Sequence, residues 1–147
     1  MAFRFSLEPV LRLRRSYERV ERLRLLAIAA LLVRVRQEIT AAAREEAAAR
    51  YARKEMLSRG AQAVEIQLGV SVEKARVRRN RELFERAMTL ERQHVKQNRA
   101  YQDARRKREI LENLRAQKLR EHHRERDRKT QQSLDELYLL RRVNSSG

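Results

Sequence analysis

Apolar residues in the first third of the chain recur in steps of mostly three and four: Val10, Leu13, Tyr17, Val20, then Leu23, Ala27, Leu31, Val35, Ile39 and Ala42. That spacing lines one face of an α-helix and predicts a packed helix from about residue 7 to 58. The steps drift, which argues against a strict leucine zipper. Ser6 is placed as the N-cap, with Glu8 suited to the helix dipole and Pro9 where its missing N–H costs nothing. Phe5 and Val10 have the spacing of a hydrophobic staple. Between Ala41 and Ala52 the face thins to alanine, and Tyr51 is its one large side chain.

Ser58, Arg59 and Gly60 predict the end of this helix, and Gly69 with Ser71 a second break in which Ser71 caps the next helix and Glu73 sits in its first turn. The expected connector is therefore about 59–71, with room for a short helix over 61–68. A second helix follows over about 72–142, carrying Leu83, Phe84, Ala87, Leu90, His94, Tyr101, Ala104, Leu111, Leu114 and Leu119 at helical spacing, and 144–147 reads as a flexible tail. Arg78 with Glu82, Glu82 with Arg86 and Arg108 with Glu112 are four apart and suited to ion pairs on its outer face. Neither helix can bury its face alone, so the expected fold is all-α: a long antiparallel two-helix coiled-coil hairpin, a single unit over 1–143, in which facing residue numbers sum to about 130. At about 1.5 Å per residue the helices would span roughly 78 and 105 Å, and the second would overhang the first from near residue 124. Residues 120–133 hold no aliphatic or aromatic side chain, and Leu134, Leu137, Tyr138 and Leu140 then form a fresh apolar patch that calls for another surface.

Composition narrows the function more than the fold. Aromatic residues make up 5% and charged residues 38% of the chain, too few large apolar groups for a globular core. Lys and Arg outnumber Asp and Glu by 36 to 20, a net charge of +16, which draws the molecule toward acidic protein, nucleic acid or an anionic membrane. Residues 12–24 and 105–129 hold most of that excess and become neighbours in the hairpin, so the end bearing both termini is expected to be intensely basic and the region near 38–90 milder. With no Cys, disulfides and thiolate chemistry are excluded. The N-terminus lacks the pattern of a signal peptide, and Leu25–Val33 is far shorter than the roughly 20 residues that span a bilayer.

The opening Phe3-x-Phe5-x-Leu7-x-x-Val10-Leu11-x-x-Arg14 resembles the start of the FliJ family, the small coiled-coil component of the bacterial flagellar type III export apparatus. The length, the two-helix layout, Leu134-Asp135-Glu136 and the basic C-terminal helix are similar as well. The resemblance implies a stalk that is not an enzyme and uses no cofactor or metal. Its basic end would bind and promote the hexameric export ATPase FliI, the rod would also contact the export gate protein FlhA, and export chaperones are further partners of the family. Carried onto this chain, the ATPase ring would meet Arg12, Arg14, Arg15, Arg19, Arg22, Arg105, Arg106, Arg108, Arg115 and Arg120, and Tyr51 would be the candidate contact for the gate. The implied location is the cytoplasm, peripheral to the inner membrane.

Other chemistries fare worse on these residues. His122 and His123 are adjacent and point roughly 100° apart on a helix, unlike an i, i+4 metal pair, and His94 falls on the seam as a packed position. There is no Gly-rich phosphate loop and no Ser, His and Asp grouping with a plausible pocket. Leu23–Val35 could lie on a membrane with Arg24, Arg34 and Arg36 at headgroups, but seam packing explains it more simply. A basic coiled coil that binds nucleic acid is the main alternative function, since arginine rows hold phosphates; the basic segments lack the interleaved aromatics of a base-stacking surface. A third possibility is a structural coiled coil whose helices pair between chains.

Overall fold

The computed structural model describes residues 2–147 and contains two α-helices, α1 (Glu8–Ser58, 51 residues) and α2 (Ala63–Ser145, 83 residues). They pack antiparallel as a coiled-coil hairpin. Their contacts group into two compact units, a terminal unit from the two chain ends (up to Arg19 and from Gln102 on) and a central unit, Val20–Tyr101.

The central unit contains the connector, which is only 59–62. Gly60 adopts φ +79°, the left-handed conformation that terminates helices, and its N–H donates to the Leu57 carbonyl at 3.3 Å. α2 then begins at once, with Ile66 N–H donating to the Gln62 carbonyl at 3.2 Å. The expected break at Gly69 and Ser71 is absent: both residues lie within α2, and Glu73 is on the seam rather than in a first turn. One glycine at the turn suffices to reverse the chain, and an isolated helical glycine only weakens a helix that packing supports. The shorter connector moves the pairing. Arg53 meets Glu73 and Arg36 meets Glu91, so facing numbers sum to about 126 in place of about 130.

The seam of the central unit follows a strict alternation of three and four residues. On α1 it runs Leu25, Ile28, Leu32, Val35, Ile39 and Ala42, and on α2 Asn80, Leu83, Ala87, Leu90, His94 and Gln97. This 3.5-residue repeat keeps one line facing a supercoiled partner. Leu32, Val35, Ala87 and Leu90, joined by Ile39, form its aliphatic layer, with Val35 only 1% exposed. Each large aliphatic buried there contributes about 1.5–3 kcal/mol. Toward either side the seam turns polar: Asn80 Oδ1 is buried with no hydrogen-bond partner among the described residues, and Gln97 donates to both the carboxylate and the backbone carbonyl of Glu21. On α2 the expected seam residues are buried or half-buried except Phe84, which is exposed. On α1 the expectation fails for Val20, Leu23, Ala27 and Leu31, all exposed because the supercoiled line passes beside them.

In the terminal unit the Leu7 carbonyl accepts the first helical bond, from Leu11 N–H at 2.9 Å. The N-cap is thus Leu7 and not Ser6, and Pro9 still falls in the first turn. The seam here is Leu11, Arg14 and Glu18 against Ala104, Arg108, Leu111 and Arg115, again in steps of three and four. Leu11 is fully buried, whereas the expected Val10, Leu13 and Tyr17 face solvent. The last contact of α2 with the N-terminal segment is His122, whose ring lies 5.7 Å from that of Phe3; every residue from His123 on is exposed. α2 therefore overhangs α1 and continues helical to Ser145, three residues further than expected, with the Ser145 and Ser146 hydroxyls donating to the Arg142 carbonyl.

The two internal glycines should respond oppositely to alanine. Gly60→Ala forces an L-residue into positive φ and should cost about 1 kcal/mol. A Cβ at Gly69 meets nothing within 4 Å, so Gly69→Ala should stabilise by about 0.5–1 kcal/mol. Thermal unfolding followed by circular dichroism distinguishes the two.

Candidate functional site

The ten arginines expected to form one binding surface divide by what they touch. In the terminal unit Arg108 sits on the α2 seam, four-fifths covered, and grips Glu18 of α1 through two nitrogens, Nε at 2.6 Å and Nη2 at 3.1 Å. Its Nη1 holds Glu112 at 2.7 Å, and the other oxygen of Glu112 accepts from Arg15 Nε at 3.1 Å. A fork-to-fork guanidinium–carboxylate pair fixes both distance and orientation, so this chain of four residues sets the register of the two helices. A second clasp lies nearer the chain start, where Arg115 Nε bonds Glu8 at 3.0 Å and its guanidinium lies 5.7 Å from the centre of the Phe3 ring. Arg15, Arg108 and Arg115 are therefore structural ties between helices, and Arg105 pairs with Glu109 along α2.

The mutual bonding moves both partners' proton affinities. The hydrogen bonds it donates to Glu18 and then Glu112 hold the Arg108 guanidinium well above the ordinary arginine range, against a smaller opposing effect of desolvation. The Arg108 hydrogen bond, with help from Arg15, holds Glu112 below the usual carboxylate range although desolvation pulls the other way.

The rest of the arginine set is free of such ties. Arg12, Arg14, Arg19, Arg106 and Arg120 in the terminal unit, and Arg22 in the central unit, have no carboxylate within 4 Å among the described residues, and all but the half-buried Arg14 are exposed. Arg12 and Arg19 are seven apart on α1, and Arg106 and Arg120 fourteen apart on α2, so each pair shares a helix face. Tyr51, in the central unit, is 67% exposed and unpaired, a large aromatic standing alone on an alanine-rich helix. Arg108 and Glu112 do form the expected i, i+4 pair, but on the seam and not the outer face; Arg78, Glu82 and Arg86 make no ion pair among the described residues.

The chain has no match among protein-family models, curated proteins or solved structures. What it presents stands on its own geometry. Among the described residues no cluster of three or more His, Asp or Glu could hold a metal, and no helix is long and apolar enough to cross a membrane. His122 and His123 stand with ring centres 6.0 Å apart, at an interplanar angle of 62°. The arrangement that remains is a helical scaffold with cations and large apolar side chains on its outside, suited to contacts with other macromolecules. The ion-pair ties were missed in the sequence because partners about 90 to 110 residues apart depend on register; the signal available was that Glu8 and Glu18 are the only acids among the first 20 residues, facing an arginine-rich helix.

Acidification should loosen the terminal unit through Glu112. Its carboxyl is depressed in the folded chain, so its contribution is present above the ordinary value of 4.5 and is lost as pH falls through the lower folded value. Glu112→Gln should therefore lower stability at neutral pH and flatten the loss between neutral and acid pH, measured by urea unfolding across a pH series. Arg108→Ala should cost about 1–2 kcal/mol at neutral pH, and Arg106→Ala close to nothing.

Proposed function

We propose that this chain is a FliJ-like, non-enzymatic component of a flagellar type III export apparatus, a coiled-coil stalk that binds and promotes a hexameric ATPase of the FliI kind and couples it to a gate protein of the FlhA kind. The observation that carries the reading is a hairpin whose terminal unit is held by its own ion pairs yet leaves Arg12, Arg14, Arg19, Arg106 and Arg120 unpaired. Long cations on a stiff helix can engage acidic loops of a ring in successive positions, since their attraction depends weakly on exact geometry. The opening motif supports the same reading: Phe3 stands beneath Arg115 and against His122, and Leu11 is fully buried, so these residues fasten the chain start to α2.

In this reading Arg15, Arg108 and Arg115 keep the hairpin in register, Arg105 is held by Glu109 along α2, and the unpaired arginines, with Arg22, meet the ring. Exposed Tyr51 is the contact offered to the gate. The protein works in the cytoplasm, at the inner face of the membrane, without a cofactor, and export chaperones are further partners.

Adding the purified chain to its cognate ATPase should raise the hydrolysis rate and favour ring assembly. Arg106→Glu combined with Arg120→Glu should reduce that stimulation at least fivefold with melting unchanged, whereas Arg108→Glu should lower the melting temperature as well. Absence of stimulation, together with tight, salt-sensitive binding of the chain to a DNA or RNA duplex, would move the assignment to a nucleic-acid-binding coiled coil.

A further inference from the structure

The first helix of the terminal unit carries most of its large apolar side chains on the outside. Val10, Leu13 and Tyr17 are 38%, 50% and 51% exposed, while the polar Arg14 and Glu18 occupy the seam beside fully buried Leu11. The three fall at steps of three and four, the spacing of a second packing line on the same helix. An ordinary solvent face would place charges there.

The charges around this line have one sign. Arg14 is four residues after Val10 and three before Tyr17, so it borders the stripe on the seam side. On the other side stand only the short Pro9 and Ser16, and beyond them Arg12 and Arg19. None of these three arginines has a carboxylate within 4 Å among the described residues. The two acids of this stretch are already engaged, Glu8 by Arg115 and Glu18 by Arg108.

We infer that this face is a docking site for an amphipathic helix of another protein, one with an apolar edge flanked by Asp and Glu, which would lie along α1 as a third strand of the coiled coil. Apolar knobs would enter between Val10, Leu13 and Tyr17, and the flanking acids would reach Arg12, Arg14 and Arg19. A second copy of this chain is the poorer occupant, because its matching face carries the same unpaired cations on a molecule of net charge +16. The inference stands without the export reading, since it needs only this face and its charges.

A labelled synthetic peptide of about three heptads, with leucine at its packing positions and glutamate on both flanks, tests this by fluorescence anisotropy against the full chain. Saturable one-to-one binding is expected, weakened at least tenfold by Leu13→Glu and at least fivefold by Arg12→Ala with Arg19→Ala. A peptide with lysine in place of glutamate should bind at least tenfold more weakly. Equal binding of the two peptides, or no effect of Leu13→Glu, would overturn the proposal. So would a concentration-dependent dimer in sedimentation that Leu13→Glu abolishes, which would make the occupant a second copy. Leu13 is exposed, so the variant should keep its helicity and melting temperature, and those measurements confirm that lost binding is lost docking.

Discussion

Two helices packed against each other can bury only one narrow line of side chains apiece, and everything else about this chain follows from which residues fall on that line. The alternation of three and four that keeps the line facing its partner selects Leu32 and Val35 with Ala87 and Leu90 in the central unit, an aliphatic layer that excludes water. The same alternation selects Arg14 and Glu18 in the terminal unit. There the helices cannot be joined by apolar burial alone, and the bidentate Arg108–Glu18 pair with its extension through Glu112 to Arg15 takes over the work of fixing the register.

That substitution has two consequences. Ion pairs at a half-covered seam respond to pH and ionic strength, so the terminal unit is tied by interactions that solution conditions can weaken, whereas the aliphatic layer of the central unit is indifferent to both. It also releases the apolar residues that a zipper would have consumed. Val10, Leu13 and Tyr17 remain on the surface, as do Leu134, Leu137 and Tyr138 on the part of α2 that has no partner helix.

Of the candidate site, the sequence disclosed the inventory but not the division of labour. All ten arginines are where helical reading put them, on α1 or α2, and the concentration of charge in 12–24 and 105–129 was visible by counting. Counting treats every arginine alike. Whether a guanidinium is a tie or a free hand depends on the residue across the seam, which for Arg108 is 90 positions away. The pairing rule taken from a connector centred near residue 65 was also about four residues out, one helical turn, enough to name the wrong opposite partner for each arginine.

The sequence by itself determined that the chain is two long helices, because good helix formers fill it and glycine and proline are almost absent; it determined that α1 ends at Gly60, because that backbone conformation suits glycine, but not that the chain reverses within 59–62, since Gly69 and Ser71 read as a second break; and it determined that α2 runs past α1, because the second helix is the longer, in keeping with the absence of apolar residues over 120–133. These are local matters of propensity and backbone sterics. Only the tertiary structure decided which of two apolar lines on α1 became the seam. A single helix read at 3.6 residues per turn shows Val10, Leu13 and Tyr17 joining smoothly to Val35, Ile39 and Ala42, whereas a supercoiled pair holds to 3.5 residues per turn and drifts off that path by about 20° per heptad. Over four heptads the drift is large enough to bury Leu11, half-bury Leu25 and turn the more conspicuous stripe outward.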